Sequence, residues 1–143
     1  MRLATVADLP ALLPRTRALN DHEHIEVTDA ALEAALRTLL ASPDLGRVWL
    51  IEDDGAPRGY AIVTFGFDLE FGGRDAWLTE LWIDDDARGQ GLGAAALAAL
   101  PDLLRALGVG GLHLQVRPEN PAMALYQRAG FDVSPRRILT RKL

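Results

Sequence analysis

The residues best suited to chemistry gather in one stretch, LTELWIDDDARGQGLGAAAL, residues 78–97. Glu80 is the only acid in the run LTELWI. In a strand, side chains alternate, so Leu78, Glu80 and Trp82 are expected on one face and Thr79, Leu81 and Ile83 on the other. Three acids follow, Asp84, Asp85 and Asp86, and then Arg88-Gly89-Gln90-Gly91-Leu92-Gly93-Ala94. Glycine bends the backbone through positive φ and lets a ligand approach the main chain. A helix start adds unpaired N–H donors and about half a positive charge. Together they suit an anion, above all phosphate, and Arg88 can add a planar, forked cation.

Two familiar phosphate sites fit poorly. A P-loop needs Lys-Ser or Lys-Thr after its last glycine, and none follows Gly93. Gly89-x-Gly91-x-x-Ala94 has the form of the dinucleotide fingerprint. That fingerprint wants a tight strand-to-helix turn and an acid about 20 residues further on. Here residues 84–88 intervene, and the next strand, GLHLQVR, carries no acid.

The elements that must position this loop can be read from periodicity. Residues 2–4 suit a short first strand, and Thr5 and Asp8 offer helix-start chemistry ahead of Leu9, Leu12 and Leu13. Pro14 limits the regularity of that helix. Residues 29–41 form a second helix, with Leu32, Leu36, Leu39 and Leu40 on one face. RVWLIEDDGAPRGYAIVTFGF is a hairpin about an Asp/Gly/Pro turn, and AWLTELWI is the next strand. The helix from Gly91 to Leu107 is expected to kink or break at Pro101. GLHLQVRP is a strand with Leu112, Leu114 and Val116 on one face. PAMALYQRAG is a helix closed by Gly130, and FDVSPRRILTRKL is a last strand. The order β-α-α-β-β-β-α-β-α-β predicts a mixed α/β fold with at least one parallel crossover.

Composition narrows the function. The 143 residues fit one domain, 1–143. With no cysteine, disulfide frameworks, thiolate metal sites and a cysteine acyl-enzyme are excluded. A net charge of −5 argues against nucleic-acid backbones and favours cationic small molecules. No run has the length of a membrane span and MRLATVADLP has no signal-peptide core, so a cytoplasmic protein without membrane partners is expected.

Arg88-x-x-Gly91-x-Gly93, followed by Leu125-Tyr126 and Gly130-Phe131, resembles the GNAT acetyltransferase superfamily. The resemblance covers most of the chain, from the apolar strand before the loop to the closing LYQRAGF. It implies that family's fold, a mixed, mostly antiparallel central sheet with helices on both faces. It also implies acetyl-CoA as co-substrate, with no metal. Backbone N–H groups from Arg88 to Ala94 (Arg88, Gly89, Gln90, Gly91, Leu92, Gly93, Ala94) would bind the coenzyme's pyrophosphate. The main chain of Leu81, Trp82 and Ile83 would pair with the pantetheine arm and polarise the acetyl carbonyl. Tyr126 would protonate the leaving thiolate as general acid. Glu80 would serve as general base or hold the acceptor's ammonium; the alternatives for it are a solvent-facing acid or an ion pair with Arg74. Asn120 matches a coenzyme-binding asparagine, at a spacing to Tyr126 one residue short of the family's.

An amine with pKa near 10.4 is neutral at pH 7 in only roughly one molecule in 2,500. Only the neutral form attacks a thioester, so a base near the acetyl group answers a physical need. The implied reaction is direct transfer in a ternary complex to a primary amine on a small molecule or a protein. The family also allows a homodimer. The alternative is a non-catalytic coenzyme A-binding sensor or interaction module, which would need neither Glu80 nor Tyr126.

Other polar clusters have simpler readings. Asp84 to Asp86 form a turn, because carboxylates close to phosphates repel them. Asp21, His22, Glu23 and His24 lack further ligands at metal-site spacing, and lie where this superfamily shapes its acceptor pocket. His113 alternates with leucines and is structural. Arg136, Arg137, Arg141 and Lys142 suit a charged strand edge.

Overall fold

The computed structural model describes residues 1–141. Five strands form one sheet in the order β1-β2-β3-β4-β5: β1 Arg2–Leu3, β2 Gly46–Asp53, β3 Ala56–Asp68, β4 Gly73–Ile83 and β5 Gly111–Leu114. The first four pair antiparallel, and β5 joins β4 in parallel. The parallel pair is made by a crossover through α3, Leu92–Arg105. The helices α1, Leu9–Glu23, and α2, Asp29–Ala41, precede the hairpin, and α4, Met123–Arg128, follows β5.

Strand alternation sends side chains into two cores. Val48, Leu50, Tyr60 and Ile62 meet Leu9, Leu12 and Leu36 of α1 and α2. Trp49, Ala61, Val63, Ala76 and Leu78 meet Leu97, Leu100 and Leu104 of α3. Each of those leucines contributes roughly 1.5–3 kcal/mol on burial. Helices therefore cover both faces, as the motif pattern implied. Thr5 and Asp8 cap one another reciprocally ahead of α1, and the Thr28 hydroxyl accepts from the Ala31 N–H to start α2.

Four expectations need correction. Of the kink or break expected at Pro101, the break does not occur, and α3 runs on between buried Leu97, Leu100 and Leu104. The strand expected over 111–118 stops at Leu114, where β5 loses its partner. Residues 131–141 form no strand. Val133 is 71% exposed and Leu139 93% exposed, so the apolar positions have no face to bury, and Pro135 has no ladder N–H to give. Arg136 pairs with Glu70 instead, and Lys142 lies outside the described residues.

The fourth correction bears on the site. Ile62 pairs with Glu80, but Val63 pairs with Leu78, so Thr79 is an extra residue in β4. Such a bulge shifts the alternation by one. Leu78 consequently packs in the α3 core while Trp82 packs in the α1/α2 core. Leu78 therefore does not share a face with Glu80 and Trp82.

Candidate active site

β4 continues five residues beyond its last pairing with β5, because the ladder ends at Leu78↔Leu114 while β4 ends at Ile83. On its other side β4 stays paired with β3 as far as Gly59↔Ile83. The Trp82 carbonyl faces β3, since a Cβ on Gly59 would lie 2.3 Å from it. The N–H and C=O groups of one strand residue point the same way. Those of Leu81 and Ile83 therefore face the open edge between the diverging strands. A small cleft lined by Thr64, Trp77, Leu78, Thr79 and Gln115 opens at the point of divergence. Tyr126, on α4, lines the adjoining groove with Trp77, Leu114 and Gln115.

The glycine loop lies beyond the end of the same strand. Gly89 and Gly91 have φ of 76° and 84°, the left-handed region that favours glycine. Gly91 is the N-cap of α3, and the first N–H bonded back to it is that of Ala95. The N–H groups of Leu92, Gly93 and Ala94 thus precede the first intrahelical bond. Gly93 is different: a Cβ there would meet Leu125 at 3.6 Å and Ile83 at 3.8 Å, ordinary contact distances. Its side-chain position faces inward, where the helix start rests on β4 and α4.

Each acid of the triplet takes an arginine. Asp84 pairs with Arg15 at 2.5 Å, Asp85 with Arg88 at 2.8 Å and Asp86 with Arg58 at 3.2 Å. Arg88 also donates from Nε to the Ile83 carbonyl and lies 4.7 Å from the Trp82 ring centroid. Its guanidinium thus ties the loop to the strand end. The N–H groups of Leu92, Gly93 and Ala94 are left without an intrahelical partner, and Gln90 donates to the Asp86 carbonyl. Among the described residues no group of three or more His, Cys, Asp or Glu converges as metal ligands would.

Glu80 is half-buried, and its Oε2 accepts a 2.6 Å hydrogen bond from the Tyr60 hydroxyl. Burial pushes the Glu80 carboxyl above its ordinary value, and the Tyr60 bond pulls it partly back. Burial, and then Glu80 itself, push the Tyr60 hydroxyl far above the usual phenol range. Arg74, the alternative partner for Glu80, pairs with Asp44 and stacks over Phe65. Tyr126 packs edge-on to Phe131, and its hydroxyl is raised by burial and by the Glu23 carboxylate of α1. Glu23 in turn pairs with Arg117 at 2.9 Å, linking the end of α1 to the chain after β5. The Asn120 side-chain oxygen accepts from the Ala122 N–H at 2.8 Å and so caps the approach to α4. His22 meets Trp82 edge-on, His24 ends α1 in the left-handed conformation, and His113 packs on Phe71 and Trp77 beside Asp75.

Sequence reasoning did not single out Tyr60, Arg15 or Arg117. The signal for Tyr60 was its place in the alternating run GYAIVTF. Once the strands are paired, Tyr60 opposite Trp82 is the diagonal neighbour of Glu80. No local signal marks Arg15 or Arg117, whose acids lie 69 and 94 residues away in sequence.

The chain belongs to the GNAT acetyltransferase family, whose sequence model matches residues 13–131. It is 34% identical to integron cassette protein HFX_CASS3, from the mobile metagenome of Cole Harbour Salt Marsh. That likeness has a TM-score of 0.89 and covers 99% of this chain and 89% of the other. A Clostridium acetobutylicum protein, described as a predicted acetyltransferase and solved with acetyl-CoA, shares the fold. It has a TM-score of 0.79 at 22% identity, covering 98% and 94% of the two chains. Mycothiol acetyltransferase of Beutenbergia cavernae is 36% identical over 92 residues, 62% of this chain and 29% of that protein. Mycothiol acetyltransferase of Clavibacter michiganensis subsp. michiganensis is 45% identical over 64 residues, 44% of this chain and 21% of that protein. The chain therefore spans well under half the length of these curated relatives.

Proposed function

We propose that residues 1–143 form one N-acetyltransferase domain that moves an acetyl group from acetyl-CoA to a primary amine by direct transfer in a ternary complex. The observation that carries this reading is the pairing of Glu80, turned by the Thr79 bulge, with the open β4 edge just beside it. The free N–H groups at the start of α3 hold the pyrophosphate, and the Leu81 and Ile83 main chain holds the pantetheine arm. Glu80 receives a proton from the acceptor ammonium, leaving a neutral nitrogen. That nitrogen bonds to the thioester carbonyl carbon while backbone N–H groups on the β4 edge stabilise the carbonyl oxygen. The carbon–sulfur bond breaks, Tyr126 gives its proton to the departing thiolate, and the new amide nitrogen sheds its second proton, which restores the Tyr126 hydroxyl. Burial supports both assignments. It keeps the Tyr126 hydroxyl protonated and makes Glu80 a stronger base than an exposed carboxylate.

The acidic balance of the chain favours a cationic acceptor, and a polyamine, an amino sugar and a peptide amine all meet that requirement. Calorimetric titration with acetyl-CoA tests the coenzyme half of the reading. A panel of those amines, followed by release of free thiol, tests the acceptor half. Micromolar binding with thiol release that Glu80→Gln slows by at least about 10²-fold is the expected result. No binding of acetyl-CoA would overturn the reading.

A further inference from the structure

We infer that Tyr60 positions Glu80 for proton transfer: its hydroxyl holds Oε2 of the carboxylate and leaves Oε1 to meet the acceptor amine. The inference rests on the reading of Glu80 as the base. Tyr60 is fully buried, at 0% exposure, in the middle of β3. Val48, Leu50 and Ile62 lie in the same core, so its ring has little freedom to turn. At 2.6 Å the hydroxyl makes a short hydrogen bond of the kind formed to an ionised acceptor. A carboxylate has two oxygens with room for several donors, and this bond occupies one of them.

The arrangement depends on the bulge. Without Thr79 as an extra residue, Glu80 would fall on the α3 face with Ala76 and Leu78, away from Tyr60. The bulge is pinned from its own side, because the Thr79 hydroxyl donates to the Ile62 carbonyl at 3.2 Å. Six nearby charged groups of α1, α2 and β3 have partners of their own. Arg15 of α1 holds Asp84, Arg17 holds Asp29 of α2, and Glu23 holds Arg117. Arg58 of β3 holds Asp86, Glu33 and Arg37 of α2 pair with each other, and His22 lies against Trp82. Tyr60 is thus the polar group that sets the orientation and proton affinity of Glu80 before an acceptor arrives. Removing its hydroxyl leaves burial unopposed, which favours the neutral acid.

Tyr60→Phe keeps the ring and removes the donor. The carboxyl 13C resonances of glutamate-labelled protein, assigned to Glu80 by their loss in Glu80→Gln, report its titration without any acceptor. The expected midpoint in Tyr60→Phe is about one pH unit higher than in wild type. The acid limb of kcat/KM, measured with glucosamine, spermidine and a tripeptide N-terminus, should move by the same amount. Acetyl-CoA affinity should be unchanged. Site-specific 3-fluorotyrosine at position 60, a stronger donor, should move both quantities the other way and guards against a folding defect in the phenylalanine variant. If Glu80→Gln is inactive but neither Tyr60 variant moves the midpoint or the acid limb, the inference is overturned and the reading of Glu80 stands. If Glu80→Gln acetylates all three amines at the wild-type rate, the reading of Glu80 falls and the inference falls with it.

Discussion

The glycines of the loop look equivalent in sequence, but the structure predicts opposite outcomes when two of them become alanine. Gly91 has φ of 84° and caps α3. An L-residue held there costs roughly 1–2 kcal/mol, while the loss of unfolded-state freedom returns about 0.4–1 kcal/mol. At the middle of the two ranges the net cost of Gly91→Ala is about 0.8 kcal/mol. For a chain of this length that is a fall in Tm of about 2–3 °C. Nothing lies within 4 Å of the added Cβ, so the cost is conformational rather than steric. Gly93 lies inside the helix, and its Cβ would make ordinary contacts with Leu125 and Ile83. The helix gains up to about 1 kcal/mol from this change, and the new methyl faces inward, away from the free N–H groups. Gly93→Ala should thus raise Tm by about 1–4 °C and bind acetyl-CoA within about threefold of wild type. Gly91→Ala should bind about tenfold more weakly, because strain at the cap turns the donor N–H groups; tenfold is about 1.4 kcal/mol. Scanning calorimetry and isothermal titration measure both variants. A Gly93→Ala protein that folds well but loses coenzyme binding would refute the placement of the anion site on the outer side of this helix start.

Glu80→Gln should reduce kcat by about 10²–10⁴-fold while leaving acetyl-CoA affinity intact. The same variant should be more stable than wild type at neutral pH. Burial raises the native pKa of Glu80 above its ordinary 4.5, so its charged form costs stability as pH rises through and beyond that value, and glutamine removes the cost. Below pH 4.5 the two melting curves should converge. Tyr126→Phe should lower kcat by about 10²-fold with unchanged coenzyme binding. Wild type should show no alkaline loss of activity from Tyr126 near its ordinary pKa of 10.0, because burial and Glu23 hold the hydroxyl protonated. Asn120→Ala should cost about 1 kcal/mol by removing the oxygen that caps Ala122. Asn120→Asp keeps that oxygen, so it should restore Tm but not coenzyme affinity if the amide nitrogen reaches the coenzyme.

What was legible in the sequence follows from how local each signal is. Residues 29–41 read as a helix because their apolar spacing lies within one segment, and α2 has those bounds. The glycine loop was legible for the same reason, since left-handed backbone and a helix start are properties of a few consecutive residues. Pro101 does not end the helix, because its penalty is local, while the burial of Leu97, Leu100 and Leu104 that outweighs it depends on the sheet. The Asp84–Asp86 turn was recognised, but its three arginines come from α1, β3 and the loop, and only the fold brings them together. Residues 132–141 are strand-like but pair with no strand, although the outer edge of β5 is open, because strand propensity alone does not form a ladder.

Glu80 shows where periodic reasoning ends. Alternation placed it with Leu78, and an uninterrupted strand would have buried its carboxylate against the leucines of α3. A charged group there, without a partner, is strongly disfavoured. One extra residue, Thr79, resolves the conflict by turning Glu80 to the face where Tyr60 waits. The parallel ladder to β5 ends at Leu78, just before the bulged residue, so the backbone that loses its partner lies immediately beside the re-aimed acid. A re-aimed acid and an unpaired strand edge thus meet at a single irregularity, which neither periodicity nor composition could have located.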